Sequence, residues 1–600
     1  MSSNEYSSNA QWIKAVRQRD LKKLQSAPYS ILAYLATLDF GPPLTRWYQK
    51  ELRIREVAFV GDFQLLPHQL QSVEWMRAIE RQPPLHGIKG GILSLEKGLG
   101  KTITALTLAL SSPKGQFPTL VLCKKMFMWD TWKKEIEARL VGQPKVIYLH
   151  KDHLTQKEID GLTLTKIRSA DLVVTTYEFC MKVMKQYPQY EKELRVDPSP
   201  GSGPKTPRGR AETLIREKGN LDPSKKKGPQ LIYEVAWERV ICDESQNFSN
   251  DGSKIFRAVM GLVSDHRWCL SGSIVRNYDT DVLSQLRFLG YTSITSNSEW
   301  KKYGQAFFKS GGLAARIFQL GYHQVGLEMP AKEEEVVSVG LEGKFRVVYD
   351  AILNRLKESH SHSLKFCQLS LLTRIRQSLV SPFLLSGRSK RVKIEAAGAT
   401  EVQFYLGQHL EKVLPNEVLK WCHDRKEAGW KAPKIKKTLE IIDYVIGLNQ
   451  KVIVFSTQVM ALDVIASALD ALGTSYRIID GTVPTAERSQ RLDRFRGSPK
   501  THVLLASYKV CSESLNISEA SFAILLDCWW NNATRDQAVA RLWRMGQLRV
   551  VKVFSLFAKD TLDYRIEEVC RKKEILATKF RGERGGKVAK AGSVVGYLLK

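Results

Sequence analysis

Gly90-Gly91-Ile92-Leu93-Ser94-Leu95-Glu96-Lys97-Gly98-Leu99-Gly100-Lys101-Thr102 is an apolar run that breaks into a glycine-punctuated turn and then opens a helical pattern. Gly91 to Leu95 reads as a buried strand, and the pattern from Lys101 continues through Ala105, Leu106 and Leu108. This is the layout of a phosphate-binding loop. Gly98 and Gly100 let the backbone turn tightly and bring its N–H groups against phosphate oxygens. The helix N-terminus adds its dipole, Lys101 a point charge, and the Thr102 hydroxyl a ligand for magnesium. The strict pattern has glycine five residues before Gly100, where this chain has Leu95. An ordinary strand–turn–helix gives much the same local pattern, so the decision falls to the rest of the chain.

At 600 residues the length prior is about four domains. No run reaches the roughly 18 apolar residues of a membrane span. The polar start Met1-Ser2-Ser3-Asn4-Glu5 is no signal peptide, so the chain is expected to be intracellular with no membrane partner. Nine scattered cysteines form no Cys-x-x-Cys pair, which fits neither a zinc module nor a disulfide framework. Cys422-His423 is an isolated pair and reads as structural. A formal net charge of +29 favours a polyanionic partner, nucleic acid above all, or an anionic membrane surface.

Upstream, Leu65 to Met76 suits a helix, with Pro67 near its start and Leu70, Val73 and Met76 in phase. Gln69 carries an amide that can donate to and accept from an adenine edge. Downstream, strands are expected at Thr119–Cys123, Lys145–Tyr148 and Asp171–Glu178, with a helix from Trp129 to Leu140. Strands alternating with helices imply a parallel sheet covered on both faces. Ligands then sit at the strands' C-terminal ends, where Thr175 and Thr176 fall. Residues 187–229 are rich in proline, glycine and basic clusters and read as a loop insertion. The strand pattern resumes at Trp237 to Cys242 and ends in Asp243-Glu244-Ser245-Gln246. Asp243 can hold magnesium through water, and Glu244 can take a proton from the attacking water. His266 to Leu270 is a further strand, closing on Ser271-Gly272-Ser273.

From about Asn277 to Gln450 the pattern is mainly helical, with Ser386–Lys393 a second basic stretch. A second α/β series then runs from Lys451–Ser456 through strands near Tyr476–Ile479, Val503–Ala506 and Phe522–Leu526. It has no second phosphate loop. Instead, Gln537, Arg541 and Arg544 fall at i, i+4 and i+7, which places them on one helix face. Two guanidiniums projecting together suit a γ-phosphate or its transition state; a solvated basic helix face has the same spacing.

In this order, these stretches resemble the helicase-like ATPases of superfamily two, specifically the Swi/Snf-type DNA translocases that remodel chromatin or act in DNA repair. The resemblance spans roughly Leu65 to Phe580. It is carried most specifically by Glu96–Thr102, by Trp529-Trp530-Asn531 with Gln537-Ala538, and by Arg541-x-x-Arg544-x-Gly546-Gln547. The Trp237-Glu238-Arg239 lead-in and the insertion before it are similar to the repair-type branch. It implies an α/β chain of two RecA-like lobes, each a doubly wound parallel sheet, with helical insertions. The expected organisation is an N-terminal basic region (1–55), lobe one (56–290, with the loop insertion 187–229), and a mainly helical insertion and linker (291–433). Lobe two (434–560) and a brace helix with basic tail (561–600) follow.

The same resemblance implies ATP and Mg2+ as cofactors. Gln69 would read adenine with Gln537 also nucleotide-binding, Gly98, Gly100, Lys101 and Thr102 would hold the phosphates and magnesium, and Asp243 and Glu244 would be the metal and base carboxylates. Arg541 and Arg544 would be fingers from lobe two. Gln246, Ser271 and Ser273 would couple the nucleotide to the lobe interface, and Thr175, Thr176, Ser456, Ser507 and Asn516 would lie near the DNA backbone. The implied partner is double-stranded DNA, with nucleosomes or other DNA-bound proteins as substrates. The implied setting is the nucleus, or a large DNA virus that encodes such a motor.

Three departures stand out. Asp-Glu-Ala-His is Asp243-Glu244-Ser245-Gln246 here, and Thr-Gly-Thr is Ser271-Gly272-Ser273. The family usually has glycines where Cys511, Ser512 and Ser514 stand. A non-glycine residue at positive φ costs on the order of 1 kcal/mol, which bears on DNA-coupled turnover rather than on nucleotide binding. A weakly hydrolysing nucleic-acid-binding scaffold and a strand-separating DNA or RNA helicase are the alternative readings.

Overall fold

A computed structural model describes residues 57–571 apart from 86, 112–117, 143, 189–226, 249, 273, 275–279, 292–297, 301, 303–313, 326–328, 362–364, 387–413, 512–516, 528–531, 545 and 569. The N-terminal basic region, most of the 187–229 insertion, residues 387–393, Ser273, Asn516, Trp529-Trp530-Asn531 and the tail from 572 lie outside the described residues. The chain divides into two compact units between Glu328 and Met329.

Among the described residues the first unit is built on seven strands: β1 (Gly90–Leu95), β2 (Thr119–Cys123), β3 (Val146–Leu149), β4 (Leu172–Thr176), β5 (Ala236–Asp243), β6 (Val263–Leu270) and β7 (Ile317–Leu320). All neighbours pair in parallel, in the order β3-β4-β2-β5-β6-β1-β7. β1, β2 and β4 are buried at every residue, as strands covered on both faces must be. The order sets the ends of β5, β6 and β1 side by side, so Asp243, Ser271 and the glycine turn share one rim. The helix Pro67–Arg81 packs on β1 and on the helix Lys101–Ser111. It is tied to the sheet by Glu80, which takes both Arg239 Nε (2.6 Å) and Nη2 (2.7 Å) and the Trp268 indole N–H (2.9 Å).

The second unit holds β8 (Lys332–Val339), β9 (Val452–Ser456), β10 (Tyr476–Ile479), β11 (Val503–Ser507), β12 (Phe522–Leu525) and β13 (Val551–Ala558). They form a second all-parallel sheet ordered β10-β11-β9-β12-β13-β8. Successive residues of β9 feed opposite cores. Val452 and Val454 pack with Leu462 and Ile465 on one face, while Ile453 and Phe455 pack with Phe495 and Leu542 on the other.

Two strands fall in the stretch expected to be mainly helical. β7 extends the first sheet beside β1, and β8 pairs with β13 along all eight residues. β8 reads Lys-Glu-Glu-Glu-Val-Val-Ser-Val, whose charges hide a strand; as an edge it keeps those side chains exposed and pairs Glu333 with Lys552. The helix expected from Trp129 opens as a π-helical turn, Met128–Lys133, before α-helix Lys134–Arg139. No described helix is long and apolar enough to cross a membrane.

Candidate active site

The phosphate-loop stretch folds as strand, turn and helix. Gly98 (φ 93°) and Gly100 (φ 86°) take the left-handed conformations that the turn demands. Leu99 is fully buried and anchors the turn. Its carbonyl accepts from His68 Nε2 (3.0 Å) and from Gln69 Nε2 (3.2 Å), while Gln69 Oε1 accepts from Leu66 N (3.0 Å). Gln69 therefore bolts the start of its own helix to the back of the loop. Lys101 Nζ donates to Leu95 O (2.7 Å), and Thr102 lies half-buried in the first turn beside it.

β5 delivers the acids to the same rim. Asp243 Oδ1 accepts from Glu244 N and Oδ2 from Trp132 Nε1, both at 2.9 Å, and the Asp243 carbonyl accepts from Tyr177 Oη at 2.7 Å. Burial, then the charge of Glu244, pushes the Asp243 carboxyl up to about 6, against the opposing pull of the Trp132 bond and Lys101. Burial also works against Glu244, but Lys101, Lys97, the Gln246 amide and Lys124 outweigh it and hold that carboxyl below its usual value. Glu244 sits at φ 52°, a left-handed conformation that costs a non-glycine residue about 1–3 kcal/mol. Gln246 closes the constellation: Nε2 donates to Glu244 Oε2, and Oε1 accepts from Ser271 Oγ at 2.8 Å. Ser245 Oγ donates to the fully buried Gln285 at 2.7 Å, which fixes the backbone after the acids.

The donor set fits a magnesium-bound triphosphate. Each Asp243 carboxylate oxygen accepts one hydrogen bond, which leaves a lone pair apiece for a cation or its water. Burial and the neighbouring Glu244 charge disfavour the ionised Asp243 carboxylate, and a divalent cation offsets that. Thr102 and Asp243 are the residues that could hold that ion.

The structure thus brings together Gln69, Gly98, Gly100, Lys101, Thr102, Asp243, Glu244, Gln246 and Ser271 within the first unit. The expected shared helix face of Gln537, Arg541 and Arg544 is not formed. The helix Asn532–Val539 carries Gln537 and stops before both arginines. Turns take over because tertiary partners claim the backbone: Ile517 N donates to Arg541 O (3.0 Å), Gln547 Nε2 to Leu542 O (3.1 Å), and the Trp543 indole to Pro330 O (2.7 Å).

Of the hydroxyls expected near DNA, those of Thr175, Thr176 and Ser456 make bonds within the fold. Thr175, Thr176, Ser456 and Ser507 are all buried. Thr175 Oγ1 donates to Leu149 O (2.9 Å), Thr176 Oγ1 caps the next helix at Phe179 N (3.0 Å), and Ser456 Oγ donates to Asp527. A hydroxyl at a strand's end finds a neighbouring carbonyl or helix N-terminus at little cost. Trp132, Tyr177 and Gln285 went unread in the sequence because each looks like core.

Two parallel sheets of this order, with a phosphate loop and paired acids at the rim of the first, define a two-lobe, RecA-like, helicase-like ATPase. The SNF2-related domain family matches residues 68–384, and the helicase conserved C-terminal domain matches 433–546. The chain belongs to the SNF2-related family. It is similar to "Putative helicase 172L" of Invertebrate iridescent virus 6, at 31% identity over 86% of this chain and 91% of that one. It is also similar to "DNA repair protein RAD5A" of Arabidopsis thaliana, at 24% identity over 81% of this chain and 58% of that one. A solved Sulfolobus solfataricus SWI2/SNF2 ATPase core in complex with double-stranded DNA is 21% identical over 88% of this chain and 94% of that one, with a TM-score of 0.35.

Proposed function

We propose that this ATPase is a Swi/Snf-type translocase that moves along double-stranded DNA and displaces or remodels proteins bound there, in DNA repair or on chromatin. The observation that carries the reading is the joined set Lys101, Asp243, Glu244, Gln246 and Ser271 at the ends of β1, β5 and β6. The net charge of +29 supports a duplex partner held mostly through its phosphates, as do relatives named for DNA repair. A relative from a DNA-repair context favours a nuclear setting, whereas the iridescent-virus relative favours a viral one.

In this reading Lys101 and the loop N–H groups bind the phosphates, and Gln69 fixes the loop against the adenine side. Glu244 takes the proton of the attacking water, positioned by Gln246 and Ser271. Thr102 and Asp243 would hold magnesium, which would supply neutralisation of the phosphate charge. In the same reading Arg541 and Arg544 act as arginine fingers; such arginines are worth roughly 10³–10⁵ in rate in related enzymes. Translocation is tested with a duplex carrying a third, triplex-forming strand. ATP-dependent release of the third strand with the duplex intact is expected. Separation of the duplex strands would replace the translocase with a strand-separating helicase.

A further inference from the structure

A second lysine stands in the phosphate loop, and the mechanism above leaves it without a task. Lys97 is half-buried. Its stem lies against Gly272, so close that a Cβ at Gly272 would stand 3.2 Å from its Cγ and 3.3 Å from its Cε, with Lys101 Nζ at 3.7 Å. The absence of a side chain at residue 272 is what makes room for it. Its charge also acts on Glu244, second only to that of Lys101. Two ammonium groups and two carboxylates therefore converge on one rim.

The backbone of Lys97 is held from the far edge of the sheet. Tyr322 Oη donates to Lys97 O, Tyr322 N donates to Glu96 Oε2 at 3.0 Å, and Glu96 N donates to Leu320 O at 2.9 Å. Tyr322 is itself buried and opens the turn one residue beyond β7. Three bonds thus fasten the Glu96–Lys97 limb of the loop to β7 and the turn after it, and none of them involves Lys101. Confining a second ammonium beside Lys101 costs free energy through like-charge repulsion and partial desolvation. A ligand with more negative charge at its terminal end removes that cost.

We propose that Lys97 is a second cation for the terminal phosphate, distinguishing ATP from ADP, and that Tyr322 is the positioning residue that aims it. The inference rests on the nucleotide-site reading above. It is tested on the full chain, without DNA, by calorimetric titration of a non-hydrolysable ATP analogue and of ADP, each with magnesium. Lys97→Met weakens the analogue about tenfold, equivalent to about 1.4 kcal/mol, and ADP less than about twofold. Lys97→Arg keeps the preference. Tyr322→Phe, which loses the hydroxyl bond to Lys97 O, shows the same selective loss on a smaller scale, about threefold. An unchanged analogue-to-ADP ratio in Lys97→Met overturns the role of Lys97, and equal weakening of both nucleotides in Tyr322→Phe overturns that of Tyr322. Lys101→Ala separates the two levels. If it weakens both nucleotides while Lys97→Met is silent, only this inference fails; if it too binds both normally, the nucleotide-site reading fails with it.

Discussion

The indole N–H of Trp132 donates to Asp243 Oδ2 at 2.9 Å, linking a fully buried side chain on a π-helical turn to the acid at the end of β5. This bond, with Lys101, pulls against the burial and the Glu244 charge that push Asp243 up to about 6. Asp243 must be ionised to hold a cation, so turnover falls as pH drops through its pKa. Trp132→Phe removes the bond, raises that pKa, and moves the acid limb of the pH–kcat/KM profile upward by about half a unit to one unit. An unmoved acid limb would show that the indole only packs.

The same raised pKa has a consequence for stability. A carboxyl whose pKa is higher folded than unfolded binds extra protons in the native state between the two values. Stability from this group is therefore lost as pH rises from the ordinary carboxylate range through about 6. In nucleotide-free protein near neutral pH, Asp243→Asn is expected to raise stability by on the order of 1–3 kcal/mol while abolishing turnover. Thermal denaturation across that pH range checks it; a lowered midpoint would contradict it.

Arg239 and Glu80 form a buried bidentate pair that also engages Glu238 and Trp268. Burial pushes the Glu80 carboxyl up, but the Arg239 charge and hydrogen bonds prevail and hold it below its usual value. Its contribution is thus present above the unfolded pKa and lost as pH falls through the folded one. Arg239→Met strands a buried carboxylate and costs about 3–5 kcal/mol, read as a fall in denaturation midpoint. A loss under about 1 kcal/mol would place the pair in the weak, solvent-screened class.

Gly100 is at φ 86°, and a Cβ there would stand 2.2 Å from Gln69 Nε2. Gly100→Ala must both strain the backbone and displace the amide that bolts the loop to the first helix. Nucleotide affinity is expected to fall at least about tenfold, for a strain of about 1–2 kcal/mol. Wild-type affinity in this variant would mean the loop refolds freely.

Much of the first unit was legible because its chemistry is local. Glycines at residues 98 and 100, a lysine and threonine opening a helix, and acids ending an apolar strand each announce themselves in a few residues. The same holds for the alternation of strand and helix. What escaped was set by distant partners. β8 became a strand only by pairing with β13, against its acidic composition. The helix bearing Gln537 ended early because Ile517 and Gln547 claimed carbonyls that a longer helix would have used. Thr175 and Ser456 fell where the strand pattern put them, and the partners of their hydroxyls, Leu149 and Asp527, are ones that sequence spacing does not show. Trp132 and Tyr177 reach Asp243 across 111 and 66 residues of chain.

The most direct measurement is the steady-state ATPase rate of the full chain against naked duplex, single strands, RNA and nucleosomes, with Lys101→Ala and Glu244→Gln beside the wild type. The account predicts stimulation by duplex DNA above that by single strands or RNA, and a loss of about 10²-fold or more in both variants. A wild-type rate indifferent to duplex, or variants that turn over like the wild type, would contradict it.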